Sequence, residues 1–188
     1  TISCLVNPKV MREQVFASSS TGAARKVAVV GGGVAGISAA LEAARNGHEV
    51  TLFEARDSLG GQFILAAKVP GKSDYGRYIE AVGSQLRSGR ITLCLSQAVG
   101  ASDLVNNGFE SVIVATGIAP RELDILGNDN PKVVGYEDVL NGNAEVGKKV
   151  LIIGAGGIGH DVALFISHMD SPDISELDAF EKQWGIGR

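Results

Sequence analysis

Two glycine turns, each placed directly after an apolar, β-branched run, constrain the fold of this chain more than any other feature. The first is VVGGGVAG and the second is IIGAGGIG, both with the spacing G-x-G-x-x-G. Their spaced glycines are Gly31, Gly33 and Gly36 in the first turn, residues 31–36, and Gly154, Gly156 and Gly159 in the second turn, residues 154–159. Continuous apolar runs are typical of strands buried in a parallel sheet. Strand, glycine turn and helix in this order predict an α/β, Rossmann-like fold.

The chain around the two turns alternates between strand and helix patterns. Alanine and leucine recur at helical spacing after the first turn, and Gly47 supplies a stop signal. The passage 117–142 shows no period and is predicted to be irregular. The patterns predict strands at 26–30, 49–54, 91–95, 111–115 and 149–153, and helices at 34–46, 74–88 and 158–168.

Each glycine of the first turn has a predicted task. Gly31 makes the tight turn, Gly33 lets a pyrophosphate approach the backbone, and Gly36 lets the helix pack closely on the strand. The helix N-terminus then directs amide donors at the phosphates. Glu54 lies 18 residues after Gly36, where an acid accepts hydrogen bonds from ribose hydroxyls and opposes the 2′-phosphate of NADP. The second turn lacks a recognisable following strand and acid, so its nucleotide cannot be chosen.

Composition narrows the function. The chain is 45% hydrophobic with a net charge of −4, and we find no cluster of basic residues, so we expect no nucleic-acid partner. No apolar run reaches the roughly 18 residues of a membrane span, and there is no signal-peptide pattern, so we expect no membrane partner and a cytoplasmic location. In that compartment Cys4 and Cys94 are not expected to form a disulfide. The apolar start without an initiator methionine suggests part of a longer protein.

Several motifs together resemble the flavoprotein portion of the bacterial NADPH-dependent 2,4-dienoyl-CoA reductase family, within a broader group that includes trimethylamine dehydrogenase and enoate reductases. The resemblance runs from Cys4 to Arg188. The motifs are SCLVNP at 3–8, VVGGGVAG at 29–36, VTLFEARDSLGGQF at 50–63, VPGK at 69–72, VIVATGIAPR at 112–121, NPKVVGYEDVL at 130–140, IIGAGGIGHDVA at 152–163 and WGI at 184–186.

The resemblance implies an FAD-binding domain with an NADPH-binding domain inserted into it. In such enzymes electrons pass from NADPH to FAD, then through a 4Fe-4S cluster to FMN in a separate barrel, and finally to an unsaturated acyl-CoA, a step of fatty acid β-oxidation. The domains implied here are an N-terminal segment 1–24 with a linker at 18–24, an incomplete FAD domain 25–146, and the beginning of an NAD(P) domain 147–188. We therefore expect this chain alone to be inactive and its strand 149–153 to promote self-association.

The resemblance also assigns roles residue by residue, with no catalytic residue among them. Cys4 matches one cluster ligand, and the second turn matches the NADPH site. The residues that match the FAD site are Gly31, Gly33, Ala35 and Gly36 in the first turn, Glu54, Ala55 and Arg56 after the second strand, Gly60, Gly61 and Gln62 in a glycine doublet, Val99, and Ala115, Thr116 and Gly117.

Two other functions fit parts of the pattern. An ADP or AMP site without redox flavin needs only the first turn and Glu54. A disulfide-reductase-like enzyme needs a close cysteine pair, which Cys4 and Cys94 do not provide. Cys94 is predicted to be a small buried residue of a strand. His160 is predicted to be a helix-surface or packing residue.

Overall fold

The computed structural model describes residues 4, 7, 9–15, 22–88, 90–121, 123–169 and 177–186. Sequence interpretations that concern Ser3, Leu5, Val6, Pro8 and residues 18–21 lie outside the described residues. Within the described ranges, no helix is long and apolar enough to cross a membrane.

Four strands and seven helices make up the described part of the chain. The strands are β1 (Lys26–Val30), β2 (Glu49–Phe53), β3 (Ile91–Cys94) and β4 (Ser111–Val114). The helices are α1 (Val34–Arg45), α2 (Gln62–Ala66), α3 (Asp74–Ser88), α4 (Ala101–Asn106), α5 (Tyr136–Asn141), α6 (Gly157–Ser167) and α7 (Leu177–Trp184).

The chain divides into two compact units. The first comprises Thr1–Ala67 and Lys72–Asn128, and the second comprises Lys68–Gly71 and Asp129–Arg188. The domain boundaries at 25 and 147 stay predictions.

The first unit is built on a parallel sheet with the order β3-β2-β1-β4. Val27 pairs with Val50 and with Ser111, so β1 has a parallel neighbour on each side. The predicted α/β fold with a parallel sheet is confirmed.

Helices α1 and α3 cover one face of this sheet. Alternate residues of a strand point to the same face, and the register places Val27 and Val29 of β1 beside Val50 and Leu52 of β2. These four side chains are buried in one cluster with Ile37 and Ala40 of α1 and with Val82 and Leu86 of α3. The cluster fixes where α1 begins, and hence where the first turn lies, relative to the carboxyl ends of the strands.

In the second unit, α5 packs against α6. Val139 and Leu140 of α5 and Val162 of α6 are buried. The passage 117–142 was predicted to be irregular, so the prediction missed α5. Helix α5 spans six residues, which is too short for a helical period to show in the sequence.

The predicted strand 149–153 is wrong. None of these residues is in a strand, and no backbone hydrogen bond joins them to any residue that the structure describes. A β-strand exists only as part of a hydrogen-bonded ladder, so an apolar, β-branched run without a neighbour is not one. The run is exposed, with Leu151 at 86%.

Candidate dinucleotide site

The first turn is held against the ends of two neighbouring strands. The Gly31 N–H donates to the Phe53 carbonyl at 2.8 Å, and the Ala115 N–H donates to the Val30 carbonyl at 2.8 Å. Gly31 has φ +109°, and a Cβ atom there would collide with the Ala115 carbonyl and lie 3.0 Å from the Thr116 nitrogen. Only glycine combines this backbone conformation with this close approach.

Gly36 performs the predicted close packing of helix on strand. It is buried in the first turn of α1, and a Cβ atom there would collide with the Gly31 carbonyl oxygen and lie 3.4 Å from the Ala115 Cβ. Ala35, beside it, is exposed. A side chain at Gly36 would therefore push α1 away from β1.

Gly33 faces open space. It is the N-cap of α1, and a Cβ atom built on it would meet no atom within 4 Å. Backbone approaches it from the other side, since a Cβ atom on Gly61 would lie 3.2 Å from the Gly33 Cα. This arrangement leaves room beside the N-terminus of α1, whose amide donors and dipole favour an anionic group.

The glycine doublet forms a second layer of backbone against the first turn. The Gly60 N–H donates to the Gly32 carbonyl at 2.8 Å, and Gly33 and Gly60 form an isolated parallel bridge. Gly60 has φ +119° and Gly61 has φ +53°, and Gln62 then begins α2. A Cβ atom on Gly61 would lie 3.2 Å from the Gly33 Cα, whereas one on Gly60 would lie 3.0 Å from Ile64, so Gly61 is the glycine that keeps this contact narrow.

Glu54 is fixed beside the first turn by four hydrogen bonds. One carboxylate oxygen accepts from the Gly32 N–H at 2.5 Å, and the other accepts from the Arg56 N–H at 2.8 Å. Its own N–H donates to the Cys94 carbonyl and its carbonyl accepts from the Gln97 N–H, both at 2.9 Å. The half-buried carboxylate thus has a set position before any ligand binds.

The other residues predicted for this site lie on loops that follow the strands. Ala55, Arg56, Gln62, Thr116 and Gly117 are exposed, and Ala115 is half-buried. Val99 is half-buried two residues beyond Gln97, the residue that bonds to Glu54. The structure therefore packs Gly31, Gly36 and Ala115 together, places Gly60 and Gly61 against Gly33, and joins Glu54 to Arg56 and, through Gly32, to the first turn. No hydrogen bond among the described residues ties Val99 to them. Their binding of a dinucleotide stays a prediction.

The first turn also contains a residue that the fingerprint does not specify. Gly32 occupies a variable position of G-x-G-x-x-G, and sequence reasoning assigned it no role. The structure places it in hydrogen-bond contact with Glu54. The available signal was the run of three consecutive glycines, of which the motif explains only two.

The second turn repeats the local geometry of the first. Gly154 has φ +112°, Gly156 is the N-cap of α6, and a Cβ atom on Gly159 would collide with the Gly154 carbonyl oxygen. His160 is exposed on α6 as predicted, with its Nδ1 3.0 Å from the Gly156 carbonyl oxygen. Residues 150–158 are exposed.

Cys4 is an exposed free cysteine, and Cys94 is half-buried in β3 rather than fully buried. Within the described ranges, no group of three or more His, Cys, Asp and Glu side chains could hold a metal ion. Iron-sulfur clusters are usually held by four thiolates. The described residues do not by themselves fit such a cluster.

The fold and the first turn together define a dinucleotide-binding α/β domain of the Rossmann type. Residues 25–179 match the pyridine nucleotide-disulphide oxidoreductase family, and the chain belongs to this family, whose members bind FAD and NAD(P)H. The expected oxidoreductase class is thereby confirmed.

Characterised relatives support this assignment. The chain is 38% identical over 166 residues to the cinnamate reductase of Clostridium sporogenes, covering 88% of this chain and 25% of the relative. It is 32% identical over 171 residues to the NADH oxidase of Thermoanaerobacter brockii, covering 88% of this chain and 26% of the relative. The chain thus spans about a quarter of the length of these proteins.

A solved structure shows the same fold. The 2-naphthoyl-CoA reductase in complex with 2-naphthoyl-CoA superposes with a TM-score of 0.83 at 32% identity, covering 89% of this chain and 26% of that one. The resemblance read from the sequence is therefore confirmed at the level of flavoprotein oxidoreductases.

Proposed function

We propose that this chain is the electron-input region of a flavin oxidoreductase. In this proposal the first turn holds the adenosine diphosphate half of FAD, and the second turn contributes to binding NADPH. The observation that carries the proposal is the open space beside Gly33, bounded by backbone that excludes side chains at Gly31 and Gly36 and adjacent to the fixed carboxylate of Glu54.

The described residues fit an ADP moiety chemically. The amides at the start of α1 supply donors for the pyrophosphate, and Gly33 allows it to approach the backbone. The Glu54 carboxylate has about four lone-pair positions, so two N–H contacts leave acceptors for ribose hydroxyls. Bound FAD would supply hydride and electron transfer, and the residues of this chain would bind and orient it.

We further propose an unsaturated acyl-CoA, of the 2,4-dienoyl-CoA type, as the substrate of the protein in which this region acts, in fatty acid β-oxidation. The motifs at 3–8 and 130–140 favour this class. A solved relative named for a CoA thioester and a relative named for cinnamate agree with reduction of conjugated acids or thioesters.

FMN and a 4Fe-4S cluster belong to the same proposal, with Cys4 as one of four cluster ligands. Because the described residues do not fit a cluster alone, we assign no electron-transfer step through it. The two free cysteines agree with a cytoplasmic location.

A second candidate is an ADP-binding module that carries no redox flavin. It is favoured by the place of the contacts, which gather around the first turn and Glu54, where a pyrophosphate and an adenosine ribose would lie. On this alternative the flavin half of FAD would add nothing to affinity.

Calorimetric titration of the 188-residue chain with ADP, FAD and FMN tests both candidates. The proposal expects ADP and FAD to bind, FAD more tightly, and FMN not to bind. Equal affinity for ADP and FAD would favour the second candidate. Gly33→Leu should abolish binding because its side chain fills the open space. Gly147→Leu is the control, since a Cβ atom on that exposed glycine also meets no atom within 4 Å.

A further inference from the structure

The carboxylate of Glu54 is positioned by a residue outside the three spaced glycines of the motif. Its Oε2 atom accepts the Gly32 N–H at 2.5 Å, while Oε1 accepts the Arg56 N–H at 2.8 Å. The Gly32 bond ties the carboxylate to the first turn, and the Arg56 bond ties it to the loop after β2. The two bonds together set the direction in which the remaining lone pairs point.

A side chain at position 32 would occupy the place of this carboxylate. A Cβ atom built on Gly32 would lie 2.9 Å from Glu54 Oε2, 3.0 Å from Glu54 Cβ and 2.7 Å from Leu59 Cδ2. Leu59 is buried in the core cluster, and Glu54 is hydrogen-bonded through both its backbone N–H and its carbonyl. The carboxylate would therefore have to move, and its bond to the turn would be lost.

The second turn shows that the motif itself does not require glycine here. Ala155 occupies the position that corresponds to Gly32, between Gly154 and Gly156. The second turn nevertheless has the same backbone, with φ +112° at Gly154 against +109° at Gly31. The need for glycine at position 32 thus comes from Glu54 and Leu59, which lie beside the first turn, and not from the turn itself.

We propose that Gly32 is a positioning residue for recognition of the adenosine ribose. It does so by donating its N–H to Glu54 and by leaving the space in which the carboxylate lies. The inference rests on the proposed binding of an ADP moiety, and it adds a requirement at a position that the dinucleotide motif leaves free.

The test compares Gly32→Ala with the unchanged chain in titrations with ADP, 2′-deoxy-ADP and 3′-deoxy-ADP. The unchanged chain should bind ADP about tenfold more tightly than at least one deoxy analogue, since a hydrogen bond to a charged group is lost. Gly32→Ala should weaken ADP binding to the level of that analogue and leave the analogue's own affinity nearly unchanged. General damage to the turn would instead weaken the binding of ADP and of the deoxy analogue together.

Controls separate this inference from the proposed function. Gly147→Ala, at an exposed glycine outside both turns, should leave the discrimination unchanged. An unchanged chain that binds all three nucleotides equally overturns both the role of Glu54 and that of Gly32. Discrimination by the unchanged chain that survives in Gly32→Ala overturns the role of Gly32 alone.

A double variant covers the case in which Gly32→Ala unfolds. Glu54→Ala removes the colliding carboxylate and leaves the contact with Leu59, so Gly32→Ala should lower the melting temperature less in that background than in the unchanged chain. An equal loss in both backgrounds contradicts the proposed coupling between the two residues.

Discussion

The first and second turns have nearly the same backbone but different surroundings. Each begins with a glycine at positive φ, +109° at Gly31 and +112° at Gly154, and each has a glycine N-cap. In each, a Cβ atom on the third spaced glycine would collide with the carbonyl of the first. Around the first turn lie the ends of β2 and β4 and the Glu54 carboxylate. The run before the second turn has no strand partner within the described ranges and is exposed.

The comparison separates what local sequence encodes from what tertiary contacts add. Six residues of the pattern G-x-G-x-x-G suffice to specify the turn and the start of the helix, because both depend on steric limits within the segment. The sheet on which the first turn is seated and its acidic partner come from β2, β3 and β4. The same motif can therefore form with or without a sheet and an acidic side chain around it.

The largest expected effect comes from exchanging the third glycine in each turn. Gly36→Val would force a buried side chain into the Gly31 carbonyl and separate α1 from the sheet core, lowering the free energy of unfolding by about 3 kcal/mol or more. ADP binding should be lost with it. Gly159→Val should disturb α6 locally but leave ADP affinity unchanged. Urea unfolding measures the stability of both variants, and calorimetry measures their affinity for ADP. An equal loss of ADP binding in the two variants would contradict the contrast between the turns.

Much of the first unit could be predicted from the sequence. Helix α3 was predicted with its observed bounds, and β2, β3 and β4 end one residue before their predicted ends. These elements were predictable because their signals are local. Each Val/Ile-rich strand and each alanine-rich helix is indicated by residues that lie close together in the sequence. The strand 149–153 has the same composition, but a ladder needs a partner, and composition cannot state whether one is in reach.

The sequence predicts those parts of the site that depend on steric limits within the turn. It does not predict the contact between two segments that are far apart in the sequence. Gly31, Gly33 and Gly36 have the expected surroundings because the motif describes contacts within the turn. The bond from Gly32 to Glu54 joins residues 22 positions apart, and it depends on where β2 ends relative to β1. A motif that specifies only the spacing of residues along the chain cannot specify the register between β1 and β2.

The next effect concerns the charge beside the first turn. Glu54 should disfavour a 2′-phosphate because two like charges a few ångströms apart repel, and we expect ADP to bind about tenfold more tightly than its 2′-phosphorylated form. Glu54→Gln should reduce that preference by removing the charge at nearly constant volume. Competition titrations at low salt measure the ratio. A preference that persists in Glu54→Gln would show that another group selects the nucleotide.

The exposed run before the second turn predicts association of two copies of the chain. The run exposes apolar side chains at Val150, Leu151, Ile152 and Ile153. Its backbone groups form no hydrogen bond with any described residue, and segments of this kind pair with other chains. We expect a concentration-dependent dimer in sedimentation velocity. Leu151→Asp should shift it to monomer, whereas Leu126→Asp, at another fully exposed leucine, should not. If the chain stays monomeric at all concentrations, or if both substitutions change its association equally, the exposed run is not the dimer contact.

The smallest expected effect concerns an ion pair on the helix that follows the first turn. Lys9 Nζ lies 2.8 Å from Glu42 Oε2 on α1, and both side chains are partly exposed. The hydrogen bond from Lys9 lowers the pKa of Glu42 from its ordinary value of 4.5, and Arg45 and Asn46 add to the shift while desolvation opposes it. Because the pair is exposed to solvent, its contribution should stay below about 1 kcal/mol.

The pH dependence of that contribution follows from the lowered pKa of Glu42. A carboxylate with a depressed pKa in the folded state stabilises the fold above its unfolded value and loses that effect as the pH falls through the folded value. Lys9→Met should therefore lower the free energy of unfolding at pH 7 and have little effect at a pH below the lowered pKa of Glu42. Asp74→Asn, in the more exposed Asp74–Arg77 pair, should change stability less at pH 7. A Lys9→Met loss that is the same at both pH values would mean that Lys9 acts by packing, because acidification removes the charge of Glu42 and leaves the packing of Lys9 in place.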